Sequence, residues 1–188
     1  MKWKEGIRRT AKRLLTDSSH DYGHTMRVLG TALKIGRKEK ADIDVLYAAC
    51  ILHDIGYAKD AKNHEVLGAR MARSILEKTD FPSKKIPIVL RCIKNHRFSK
   101  NSRAESIEEK ILQDADKLDG IGAMGIARCF LWTGERRQSF QIGIDHFREK
   151  LLLLRGMMNT KEGKRIAEER HARMLEFLRA VKKEASGR

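Results

Sequence analysis

The sequence predicts an all-α fold, a bundle of helices. Apolar residues recur at three- and four-residue spacing along most of the chain, and no alternating strand of useful length interrupts them. Only two prolines occur in 188 residues, close together at Pro82 and Pro87, so helix breakers are scarce. The length suits one domain, 1–188, with a real core.

The first helix, near 3–15, puts Trp3, Ile7, Ala11, Leu14 and Leu15 on one face. Asp17, Ser18 and Ser19 break it and could cap the next. The second runs near 21–37 with Val28, Leu29, Ala32, Leu33 and Ile35 apolar. The third, near 42–55, starts at an Asp42 cap, buries Val45, Leu46, Ala49 and Leu52, and stops at Gly56. After a loop over 57–63, a fourth helix near 64–79 carries Leu67, Met71, Ile75 and Leu76. "DFPSKK" is a turn, and a fifth helix runs to about His96. "RFSKNSRAES" is polar and reads as a loop. Further helices are expected near 105–115, 117–132, 140–156 and 162–185. The last has Ile166, Met174, Phe177, Leu178 and Val181 at helical spacing, which predicts docking on the body. No internal repeat or linker is visible.

The formal net charge is +15. That suits nucleic acid, an anionic surface or a phosphorylated small molecule. The basic residues are spread and mixed with Glu, and no aromatic-interleaved basic stripe is evident, so a solvated basic surface is the reading for most of them. Nucleic acid stays possible but is not favoured. Cys50, Cys92 and Cys129 are far apart and sit among apolar residues, as small buried hydrophobes do. Met1 is followed by charged residues, so no secretory leader is expected. No apolar run nears the roughly 20 residues of a membrane span. A reducing, cytoplasmic setting follows, with a monomer or homodimer expected.

The stretch "ILHDIGYAKDAKNHE" poses a chemical question. An apolar run over 46–52 ends in His53-Asp54, a good metal ligand beside a carboxylate. His24, at the start of the second helix, and Asp116, in "ILQDADKLDGIGA", are candidates to join them. Helix ends can converge in a bundle, and bundle cores hold metal sites built from facing helices. Two imidazoles and two carboxylates suit Mn²⁺, Fe²⁺, Co²⁺ or Ni²⁺, with Mg²⁺ possible in use. Four protein ligands leave positions on an octahedral ion for water and a phosphate oxygen. Each piece alone is weak: His20-Asp21 and Asp145-His146 show how easily such pairs arise by chance.

The combination resembles the HD superfamily of metal-dependent phosphohydrolases, whose pattern is H…HD…D. It reads here as "HDYGHTMRV" (His24), "AACILHDIG" (His53, Asp54) and "KILQDADKLDGIGAMGIAR" (Asp116). "NHEVLGARMARSIL" and "IKNHRFS" are similar to the small single-domain bacterial and archaeal members. The resemblance covers about 18–135, with the helices of 140–185 expected to pack on that part. It implies an HD-type helical bundle with a metal site between helices. It also implies that His24, just before the "RV" continuation, is the ligand, and that His20 and Asp21 support or start the helix.

His64 and His96 fall in the order used by two-metal relatives, H…HD…H…H…D, with a second ion bridged by Asp54. The compact subgroup implies one ion instead. One is therefore expected, with His64 and His96 facing the phosphate as hydrogen-bond or proton donors. Glu65 could orient His64 or a water, or be an ordinary first-turn carboxylate. Asp119 shares a helix face with Asp116 and could hold a ligand histidine through its second ring nitrogen. Asp114 reads as a cap or surface group. Lys117 could reach phosphate as a point charge. "WTGERRQSF" reads as a mobile loop in which Arg136 and Arg137 could close over an anion, or as a solvated turn. Gly120, Gly122 and Gly125 read as close-packing positions.

The expected activity is metal-dependent hydrolysis of a phosphate ester or anhydride in a nucleotide or similar small metabolite. The alternatives are a basic nucleic-acid-binding or a nucleotide-sensing module that keeps the HD fold and metal.

Overall fold

α1 (Lys2–Leu14) buries Trp3, Ile7 and Ala11 and turns its basic side outward. In the computed structural model, residues 2–16, 21–97 and 103–187 are described. His20, with the rest of 17–20, lies outside them. Every regular element among the described residues is helical. They form two compact units, Met1–Asp116 and Lys117–Arg188.

In the first unit, α2 (Tyr22–Lys38) begins where Asp21 accepts the His24 backbone N–H at 2.6 Å. Asp21, which the resemblance made a helix starter, is thus the N-cap and fixes the first turn that carries His24; the cap candidates Asp17, Ser18 and Ser19 lie outside the described residues. α3 (Ile43–Leu52) starts at Asp42, whose carboxylate accepts from the backbone of Asp44 and Val45. Its last eight residues are apolar except for Tyr47, and seven of them are buried, so α3 is the central helix of this unit. α2, α5 and α1 pack against it.

α3 does not run to Gly56. It ends at Leu52, and a short 3₁₀ turn, Ile55–Ala58, follows. Gly56 is no left-handed stop. A Cβ there would collide with the His64 carbonyl and crowd the Gly68 amide, so glycine is needed for α4 to approach. α4 (His64–Leu76) and α5 (Ile86–Asn95) pack together, antiparallel in the sequence of their ends. α6 (Ile107–Asp119) is anchored to them at its start. Asn95 donates to Glu109 at 3.0 Å, Gln113 to the Asn95 carbonyl at 2.7 Å, and the Asp42 amide to Glu108 at 3.0 Å.

The expected break beside Asp116 is absent. Asp116 lies inside α6, and the chain turns at Gly120 and Ile121, where Gly122 takes φ +76° to start α7 (Gly122–Glu135). "ADKLD" contains no breaker, so the helix continues until glycine allows the turn. Asp114 is fully buried in mid-helix, neither cap nor surface.

In the second unit, α7, α8 (Phe140–Glu149) and α9 (Lys161–Ala185) surround Phe130, Phe147 and Phe177, with ring centroids 5.8 Å apart. The helix expected to run to 156 stops at Glu149, and a 3₁₀ segment, Leu151–Met157, replaces its end. α9 docks within this unit through Ile166, Ala167 and Met174. The "WTGERRQSF" loop shrinks to four residues, 136–139, because α7 continues to Glu135. No helix of the described residues is long and apolar enough to cross a membrane.

Candidate metal centre

Six side chains of the first unit converge. His24 comes from the first turn of α2, His53 and Asp54 from the end of α3, His64 from the start of α4, His96 from the end of α5, and Asp116 from α6. All but Asp116 are buried, and the Asp116 side chain keeps 29% of its surface exposed.

The backbone fixes three of the rings the same way. His53 donates Nδ1–H to the Cys50 carbonyl at 2.8 Å, His64 to Ala61 at 2.9 Å and His96 to Ile93 at 2.6 Å. A carbonyl can only accept, so each proton sits on Nδ1 and each Nε2 is left with a lone pair. Those lone pairs meet at Asp54. Its Oδ2 lies 3.1 Å from His53 Nε2 and 3.5 Å from His24 Nε2. Its Oδ1 lies 3.3 Å from His96 Nε2 and 3.9 Å from His64 Nε2. Asp116 Oδ1 is 3.4 Å from His24 Nε2.

Two donors each about 2.1 Å from an octahedral ion, at right angles, lie about 3 Å apart. The His53–Asp54 separation of 3.1 Å matches that spacing, and the other four, at 3.3–3.9 Å, are wider. His53 Nε2 is buried with no hydrogen-bond partner, a costly state for an acceptor unless a cation takes the lone pair. Nitrogen and carboxylate donors in this proportion fit a divalent ion. Two ligand groups share Asp54: His24 with His53, and His64 with His96. The second group places in ligand range two histidines that the one-ion expectation gave to phosphate.

The electrostatics follow from burial and proximity. Burial pushes the His64 imidazole down, and neighbouring His96 adds to that. Burial works the same way on His96, but its contact with Asp54 outweighs it and the ring ends up raised. Burial would raise the Asp116 carboxyl, yet the imidazoles of His24 and His53 hold it below the usual range.

The structure also places the supporting residues. Glu65 is buried, with Oε2 3.4 Å from His64 Nδ1 and 3.8 Å from Arg97. The sequence reading missed Tyr57, which stacks on His64 with centroids 4.0 Å apart and planes 21° from parallel. No motif marks that contact. Asp119 does not hold His53, His64 or His96, whose second nitrogens are taken by backbone carbonyls; Asp119 pairs with Arg128. Lys117 is buried on α6. Arg136 lies over Trp132, 4.4 Å from the ring centroid, and Arg137 has φ 52° in the turn after α7.

A family model of the HD domain matches residues 21–121. The chain belongs to the HD domain family. The matched span contains all six converging residues of the centre. Over its whole length the chain is 37% identical to the uncharacterized protein YpgQ of Bacillus subtilis, covering 96% of it. The crystal structure of YpgQ in complex with ADP superposes with a TM-score of 0.81 at 34% identity, over 97% of this chain and 95% of that one. An HD-superfamily hydrolase from Bacillus thuringiensis gives 0.82 at 31% identity, over 100% and 98%.

Proposed function

We propose that this HD domain protein is a metal-dependent phosphohydrolase acting on a nucleotide or a similar small phosphorylated metabolite. One observation carries the reading: buried imidazoles with fixed tautomers present Nε2 lone pairs to both oxygens of Asp54. The likeness to an HD-superfamily hydrolase supports it, and so does the ADP complex of YpgQ for the nucleotide.

His24, His53, Asp54 and Asp116 would hold a divalent ion, with Mn²⁺, Fe²⁺, Co²⁺, Ni²⁺ and Mg²⁺ as candidates. A bound ion supplies Lewis acidity toward a phosphoryl oxygen and lowers the pKa of water. The partly open Asp116 side gives the substrate its approach. With only the first ion bound, His96 beside Asp54 is the ring suited to carry a proton on Nε2 toward a leaving oxygen; a second ion would take that nitrogen instead. His64 stands 3.4 Å from it, fixed by the Ala61 carbonyl and the Tyr57 ring. Lys117, Arg136 and Arg137 keep the role of cations for phosphoryl oxygens, to be read from the KM of their alanine variants. A cytoplasmic setting goes with this reading, since the three buried cysteines are free.

The test is release of phosphate and pyrophosphate from nucleoside mono-, di- and triphosphates with each metal, beside metal analysis of the purified protein. Turnover that disappears in Asp54→Asn supports the reading. A metal-loaded protein that releases neither product from any of them sinks it.

A further inference from the structure

A cleft of about 470 Å³ lies against α1 in the first unit, away from the six residues of the metal centre. Its walls carry Lys4, Arg8, Arg9 and Lys12 of α1, with Tyr22 from the start of α2 and Tyr47 of α3. Glu5 is the one carboxylate in its lining. We propose that this cleft binds the phosphate groups of a nucleotide or of single-stranded nucleic acid.

Lys4, Arg8 and Lys12 stand four residues apart, so they form one ridge of the helix with steps of about 6 Å. A ridge of that kind follows a row of phosphates. Arg8 is held in place: its Nε donates to Tyr22 Oη at 3.0 Å, and the Tyr47 hydroxyl lies beside the same guanidinium. Tyr22 Oη accepts that bond, so its own proton is left to donate.

The lining is thus almost entirely hydrogen-bond donors, matching a ligand that is all acceptor. Part of this charge is not neutralised within the protein. In the cleft, Arg9 meets Glu5 at 3.5 Å and Lys4 meets Asp44 at 3.2 Å, while Arg8 and Lys12 have no carboxylate partner among the described residues.

The test uses the full chain carrying His53→Ala, with chelator present, so that the metal centre is silent. Binding is followed by fluorescence anisotropy with a labelled twelve-nucleotide single strand and with a fluorescent ADP. Adding Arg8→Gln and Lys12→Gln should lower affinity at least tenfold. For the strand it should also flatten the slope of log K against log salt by about 1.4, for two lost phosphate contacts. Tyr22→Phe, which removes one hydroxyl, should weaken binding several-fold with an unchanged melt. Loss with the strand alone assigns the cleft to nucleic acid; loss with ADP as well assigns it to free nucleotides. Equal affinity and slope with and without the two substitutions, or no binding of either probe by the parent, overturns the proposal. The assay involves no turnover, so its outcome is separate from that of the hydrolytic reading.

Discussion

Asp54 reaches His96 with one oxygen, Oδ1 to Nε2 at 3.3 Å, and turns the other, Oδ2, toward His53 at 3.1 Å. One carboxylate therefore joins two ligand groups. The group with His24, His53 and Asp116 has four donors, and the group with His64 and His96 has three. Metal titration should give one tight equivalent and a weaker second. His64→Ala and His96→Ala should each lose the second and keep the first, and Asp54→Ala should lose both. Loss of the tight equivalent in His96→Ala would contradict this assignment.

Metal should also stabilise the fold, because its ligands tie α2, α3 and α6 together. At a hundredfold excess over Kd the gain is about 2.7 kcal/mol. For a chain of this size that is roughly 5–10 °C in melting temperature. Melts before and after complete chelation should differ by that amount, and identical melts would refute the tie.

Gly56 is the position where the His53-Asp54 corner passes under α4. Gly56→Ala must push back the His64 backbone. Overpacking of this kind costs about 1–3 kcal/mol. Chemical denaturation should show that loss, and the weaker metal equivalent should fall with it. Unchanged stability would mean that α4 can shift freely.

Asp42 caps α3 and pairs with Lys85 at 2.8 Å. Burial would raise its carboxyl, but Lys85 and the capped amides outweigh that and hold it below its ordinary value. A depressed folded value means stability that is present above the unfolded pKa and lost as pH falls through the folded one. For Lys85 the hydrogen bond to Asp42 raises the ammonium, so its share is lost only as pH rises through its folded value. Asp42→Asn should therefore cost stability at neutral pH, and the difference from the parent should vanish in acid. Asp42→Ala should cost about 1 kcal/mol for the cap alone. Urea unfolding at several pH values checks both, and a pH-independent Asp42→Asn penalty would rule out the ion pair as its cause.

Local chemistry made most of the helices readable. Asp42 announced the start of α3 because a short acceptor before an apolar periodic run can satisfy the first free amides. For α2 the same chemistry pointed to Asp17, Ser18 and Ser19, and only the HD resemblance singled out Asp21, which is the cap. His53-Asp54 was visible as a polar pair closing a core helix, and the HD pattern linked it to His24 and Asp116. α6 was expected to end beside Asp116, but "ADKLD" holds no breaker and the helix runs on until Gly120 and Gly122 allow the turn. Asp114 looked like a surface group because sequence shows its polarity and not the depth at which α6 lies. Which ring nitrogen is left for the centre is set locally, by the carbonyl three residues back in each ring's own turn. Only the tertiary structure stacked Tyr57 on His64 and brought His64 and His96 to the second oxygen of Asp54. Those contacts join separate turns and helices, and spacing along the chain carries no record of distances set by packing.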